Sequence, residues 1–255
     1  MGKIVSIHSF RGGTGKSNIT ANLGYCLASK GKKVCIIDTD VQSPGIHVPL
    51  QVDKFKTKGV PFFTLNDYLL NNVDIRKVAL DISKGFNLAK NSFYVIPSSL
   101  NTMDITKILK DGYDVAILAD AFRKLDEYLN LDFLLIDTHP GLNEETLLSI
   151  AMSDNLFVVM RPDEQDFQGT SVTIDVARKL RVKDISIIVN MVSPSYDKTQ
   201  IKKEVIKAFD CRVAEVLPHT YKLTELASKK LYCRAYKNDE WTLKLNNIAN
   251  GLIEM

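Results

Sequence analysis

Gly12, Gly13 and Gly15, followed at once by Lys16 and Ser17, have the types and order needed to hold a polyphosphate. Such glycines let successive backbone N–H groups converge on one anion. A helix opening at Ser17 adds free N–H groups and the positive end of its dipole. Lys16 supplies a mobile cation for β- and γ-phosphates, and the Ser17 hydroxyl is a ligand for Mg²⁺. A second acidic element stands further on, where Leu131-Asp-Phe-Leu-Leu-Ile-Asp137 is an apolar run closed by one acid and followed by Thr-His-Pro-Gly141. An acid so placed faces the Ser17 side of the loop and holds Mg²⁺ through water, while Gly141 can turn its N–H toward a γ-phosphate. Between the two, Asp38 and Asp40 stand one residue apart before a Pro44-Gly45 turn. By themselves these two acids serve equally well as caps for the next segment.

Strands must deliver these groups to one edge. Lys3 to Ser9 is nearly all apolar, as a strand covered on both faces should be, and a helix from Ser17 to Ser29 follows with Ile19, Leu23 and Leu27 at helical spacing. Lys33 to Asp38 is the next strand, and this βαβ start specifies a parallel sheet with right-handed crossovers and ligands at the strands' carboxyl ends. Residues 46–92 read as an excursion over the sheet's edge, with short helices at Leu65 to Leu70 and Ile75 to Ile82. A strand is predicted at Phe93 to Pro97 and helices at Met103 to Leu109 and Val115 to Leu129. The alternation then continues with strand Asn155 to Met160, helix Gly169 to Leu180, strand Ile185 to Asn190, helix Thr199 to Phe209, strand Arg212 to Leu217 and two closing helical segments. The fold class is therefore α/β, a mostly parallel twisted sheet flanked by helices, with residues 1–255 as a single domain.

The strict pattern G-x-x-x-x-G-K-[ST] needs a glycine where this chain has Phe10. Arg11-Gly-Gly-Thr-Gly-Lys-Ser17 resembles instead the deviant P-loop (Walker A) of the MinD/ParA family of ATPases, with Arg11 in the place of that family's signature lysine. Asp38 to Gly45, Asp137 to Gly141, and Asn190 with Pro218 follow in the family's order, so the resemblance runs from Lys3 to about Leu252. It implies that the loop Gly12-Gly13-Thr14-Gly15-Lys16-Ser17-Asn18 binds ATP or ADP. It implies too that Ser17, Asp38 and Asp137 hold Mg²⁺, and that Asp40 orients and deprotonates the attacking water. Asn190 would bond the adenine edge with donor and acceptor together, and the Pro218 segment would close the base pocket. His139 is not diagnostic and is read as a supporting or partner-facing residue. An ATP-bound homodimer with Arg11 reaching across it, slow hydrolysis stimulated by a partner protein, and a role in positioning cargo, division sites or DNA are implied as well. The rival readings within the superfamily are a nucleotide-dependent scaffold with little hydrolysis and an amide-forming ligase.

Composition narrows the field. The formal charge of +3 and pI near 8.5 are too mild to call for nucleic acid alone, and no apolar run approaches the ~20 residues of a membrane span. With no leader-like start the expected location is cytoplasmic. Cys26, Cys35, Cys211 and Cys233 lack C-x-x-C spacing, which argues against an iron–sulfur carrier, and Trp241 to Met255 holds no tyrosine, which argues against a tyrosine kinase tail. Leu245, Ile248 and Leu252 mark a core-packing last helix without the cationic face a membrane helix needs. Nonspecific DNA remains a candidate partner through Lys202, Lys203, Lys207, Lys222, Lys229, Lys230 and Arg234, which serve equally well as solvated helix faces.

Overall fold

The computed structural model describes residues 2–71 and 73–255. Its strands are β1 (Lys3–His8), β2 (Val34–Asp38), β3 (Leu80–Asp81), β4 (Phe93–Ile96), β5 (Phe133–Asp137), β6 (Asn155–Met160), β7 (Asp184–Val192) and β8 (Arg212–Pro218). They form one sheet in the order β3-β4-β2-β5-β1-β6-β7-β8, parallel throughout except for the β3–β4 pair. Apolar runs on the inner strands are continuous because both faces are covered. Alternation divides each run: Leu156, Val158 and Met160 of β6 face one helical layer, Phe157 and Val159 the other.

One layer consists of α1 (Lys16–Ser29), α10 (Tyr232–Ala235) and α11 (Glu240–Glu254), packed on Val5, Ile7, Ile36, Leu135 and Leu217. Leu245, Ile248 and Leu252 of α11 are buried there, so the last helix is a core helix. The opposite layer holds α2 (Leu65–Asn71), α3 (Ile75–Val78), α4 (Thr102–Asp111), α5 (Ala116–Leu129), α6 (Glu144–Ala151), α7 (Glu164–Lys179) and α8 (Lys198–Phe209), with α9 (Tyr221–Leu226) following β8. Among the described residues no helix is long and apolar enough to cross a membrane.

Three expectations need correction. The helix read over Ile75 to Ile82 stops at Val78, and Leu80–Asp81 pairs antiparallel with Val95 and Tyr94. Ser83 stabilises that turn, since its Oγ accepts from the N–H groups of Ser92 and Phe93. The helix read from Gly169 begins at Glu164, because the Asp163 side chain accepts from Asp166 N and caps it. Three helical segments, not two, close the chain.

Candidate functional site

β1 is the centre of the sheet, between β5 and β6, and the glycine loop leaves its carboxyl end. Gly15 caps α1 at φ 87 with no side-chain cap bond, and the first intrahelical amide bond is Ile19 N to Gly15 O. The N–H groups of Lys16, Ser17 and Asn18 therefore have no acceptor within the helix, which is the arrangement that takes a phosphate. Glycine is required at position 15 twice over: the left-handed backbone, and a Cβ that would lie 2.5 Å from Asn190 Nδ2.

Register brings two acids together opposite this loop. Asp38 and Asp137 end β2 and β5 as register partners, and both are fully buried. Asp137 Oδ1 accepts from Lys16 Nζ and Thr20 Oγ1, each at 2.9 Å. Its Oδ2 is buried without a partner. Ser17 Oγ lies on the same side, since a Cβ on Gly45 would come within 2.4 Å of that hydroxyl and 3.9 Å of Asp137 Oδ2. A buried, unpaired carboxylate oxygen near a hydroxyl and a second carboxylate is a hard donor set that fits Mg²⁺.

Asp38 organises the loop that follows it. Its Oδ2 accepts from Gly45 N (3.1 Å) and Ile46 N (3.2 Å), and its Oδ1 from Asp40 N (3.1 Å). Burial, then the neighbouring charge of Asp137, pushes its carboxyl well above the usual range. Asp40 is different: burial pulls its carboxyl up, but the hydrogen bonds from His139 and Ser43 outweigh that and hold it below the usual range. His139 Nδ1 stands 2.7 Å from Asp40 Oδ1, in a supporting position and half-buried.

Asn190 and Pro218 stand near the ends of β7 and β8. Asn190 lies at a bulge where Asn190 and Met191 shift the β7–β8 register, which aims its side chain at the phosphate loop. Its Nδ2 donates to Thr14 O at 2.8 Å, and its Oδ1 is buried and unpaired. The amide thus keeps its acceptor oxygen and one of its two N–H donors, the other being taken by the loop backbone. Pro218 ends β8, opposite Val192 in the register.

Arg11 is exposed and bonded to Gln165 Oε1 at the start of α7. It does not pair with Asp163 or Glu164; Arg161 takes Asp163 (3.2 Å) and Asp166 (3.1 Å). Phe10, standing where the strict pattern has glycine, packs on Gly169, where a Cβ would come within 2.3 Å of its ring. His8 escaped the sequence reading. It is fully buried, its Nδ1 is 2.8 Å from Thr138 Oγ1, and burial, with Lys16 nearby, holds its pKa down to about 3. A histidine in an otherwise apolar strand, just before the glycine loop, was the available signal.

The basic residues considered for DNA are divided between two faces. Lys202, Lys203 and Lys207 are exposed on α8, whereas Arg234, bonded to Gly85 O at 2.7 Å, belongs to α10 on the other face, and Lys222 pairs with Asp239 at 2.7 Å.

Residues 2–191 match the family model described as AAA domain. The chain is 31% identical over 194 residues to the iron–sulfur cluster carrier protein of Methanocaldococcus jannaschii, covering 74% of this chain and 59% of that protein. It is 25% identical over 240 residues to the sporulation initiation inhibitor protein Soj of Bacillus subtilis, covering 89% and 88%. The septum site-determining protein MinD of Pyrococcus horikoshii, solved in complex with Mg-ADP, superposes with a TM-score of 0.80 at 21% identity over 99% of this chain and 96% of that one. A family match over most of the chain, with the Soj relative and the shared fold beside it, places the chain in the AAA-domain family, with the MinD/ParA P-loop ATPases.

Proposed function

We propose that this protein binds ATP with Mg²⁺, dimerises on it, hydrolyses it slowly and acts as a nucleotide-switched positioning protein. The observation that carries the reading is the orphaned, buried Asp137 Oδ2 beside Ser17 at an uncapped helix N-terminus. Ser17, with Asp38 and Asp137 through water, would hold Mg²⁺, which supplies charge neutralisation at the β- and γ-phosphates. Gly12 to Asn18 cradle the phosphates with their N–H groups. Lys16 exchanges Asp137 for phosphate oxygens. Asp40 orients the attacking water and takes its proton as the oxygen bonds to phosphorus and the bond to ADP breaks. Asn190 Oδ1 accepts from the adenine amino group, beside the Pro218 segment. Arg11 reaches the partner's phosphates. The Soj and MinD relatives support the positioning role, and four free, buried thiols suit a reducing cytoplasm.

The test is phosphate release with Mg·ATP by the parent and by Asp40→Ala. The variant should retain nucleotide and accumulate as the ATP-bound dimer while turnover falls about 10²- to 10⁴-fold. ATP bound but not turned over by the parent would move the reading to a scaffold. Intact turnover in Asp40→Ala would remove Asp40 from the chemistry.

A further inference from the structure

Two separate loops hold the Asp40 carboxylate. Its own loop supplies Ser43, whose N–H (2.9 Å) and Oγ (3.1 Å) both donate to Oδ1. The loop after β5 supplies His139, with Nδ1 2.7 Å from the same oxygen. His139 is itself anchored, because Thr146 Oγ1 donates to its carbonyl at 3.2 Å and Thr146 N donates to Asn143 Oδ1 at the start of α6. The load on the two oxygens is uneven. Oδ1 takes three donors, whereas Oδ2 has only the Ser43 hydroxyl it shares with Oδ1, also at 3.1 Å. An ionised carboxylate has about four lone-pair directions, so Oδ2 keeps the spare acceptor capacity.

We propose that His139 is a positioning residue for Asp40. Donating from Nδ1 to Oδ1, it fixes the plane of the carboxylate and leaves Oδ2 turned to the attacking water. It rests on the hydrolytic function proposed above. The neutral imidazole with its proton on Nδ1 is enough for this, and no proton passes through the ring. The bond also ties the loop after β2 to the loop after β5, so Asp40 is in place only when both loops are. Without the imidazole, Ser43 alone anchors the carboxylate, and both donors then belong to one residue. The carboxylate can then turn about its terminal torsion, which is broad for aspartate.

Four measurements test the assignment: phosphate release, nucleotide affinity, thermal midpoint and the imidazole ¹⁵N spectrum of His139. They are made on the parent, on His139→Ala and on His139→Asn, whose Nδ2 can stand where Nδ1 stood. His139→Ala should lower kcat about tenfold or more, the loss of one charge-assisted hydrogen bond to the reacting group, with affinity and midpoint little changed. His139→Asn should restore most of kcat. On an Asp40→Ala background His139→Ala should cost nothing further. The spectrum should show the Nδ1–H tautomer in the parent and lose it in Asp40→Ala. Unchanged kcat in His139→Ala, equal losses in both variants, or an Nε2–H tautomer in the parent overturns the proposal alone. No ATP turnover by the parent overturns the hydrolytic reading and this one with it.

Discussion

Lys16 Nζ lies 2.9 Å from Asp137 Oδ1, with the lysine 7% exposed and the aspartate fully buried. The pair joins the first residue of α1 to the last of β5, and Thr20 Oγ1 steadies the same oxygen. Both charges have lost most of their hydration, so each depends on the other. The phosphate-binding cation is thereby held next to the acid proposed for the metal.

Lys16→Ala should therefore do more than remove nucleotide affinity. It leaves a buried carboxylate without its counter-charge, for which the expected cost in folding stability is about 3 to 5 kcal/mol. Adding Asp137→Asn should return much of that stability without returning nucleotide binding. Urea unfolding beside a nucleotide titration measures both, and a Lys16→Ala protein as stable as the parent would contradict the pairing.

Gly45→Ala is a second probe of the same corner. The new Cβ would lie 2.4 Å from Ser17 Oγ and 2.8 Å from Ser17 Cβ, closer than real Cβ contacts, so either the loop or the serine must move. Gly45 N also donates to Asp38, so displacement reaches that acid as well. Turnover should become dependent on much higher Mg²⁺, with nucleotide affinity falling less than in Lys16→Ala. An unchanged Mg²⁺ titration would mean that Ser17 and this loop are not at the metal.

Much of this site was legible because strands buried on both faces are written as uninterrupted apolar runs. Asn155 to Met160 agrees residue for residue, and the acids at 38 and 137 mark where their strands stop. What was not legible depends on distant contacts. β3 is two residues long and exists through its pairing with β4 and the Ser83 hydroxyl, so local periodicity suggested helix instead. The bulge that turns Asn190 onto Thr14 leaves no mark in composition. His139 and Asp40 are 99 residues apart, and only the parallel register of β2 and β5 brings their loops together.

His8 gives the protein's stability a definite pH dependence. Its pKa falls from an ordinary 6.5 to about 3, with burial the main cause and Lys16 the next. Between those values the unfolded chain binds a proton that the folded one does not. Its contribution to stability is therefore fully present above pH 6.5 and declines as pH falls towards 3. His8→Leu removes the titration while keeping a large side chain, and Thr138 Oγ1 retains its bond to Ile7 O. Stability of the variant, followed by urea unfolding, should vary less over that range than the parent's, and equal slopes would show that His8 is not held neutral.

Arg11 is the residue in which the chain departs most from the signature it otherwise resembles. It is exposed, held at Gln165, and forms no ion pair with Asp163 or Glu164. An uncharged amide on the surface is a weak anchor for a guanidinium, so little opposes its release toward a better acceptor. Arginine bridges two phosphate oxygens with a planar fork and stays charged, which lysine does not match. In trans, such a residue is worth about 10³ to 10⁵ in rate. Arg11→Ala should then keep ATP affinity but lose ATP-dependent dimerisation and hydrolysis together, read by light scattering and phosphate release. Gln165→Ala should lower neither. Mixing Arg11→Ala with Lys16→Ala subunits separates action in trans from action in cis. A mixed dimer formed in trans has one intact loop that still receives the Arg11 of the Lys16→Ala subunit, so activity should reappear on mixing two inactive proteins. In cis, the intact loop and the intact arginine sit on different subunits and mixing restores nothing. If Arg11→Ala alone dimerises on ATP and turns it over normally, the residue has no part in either step.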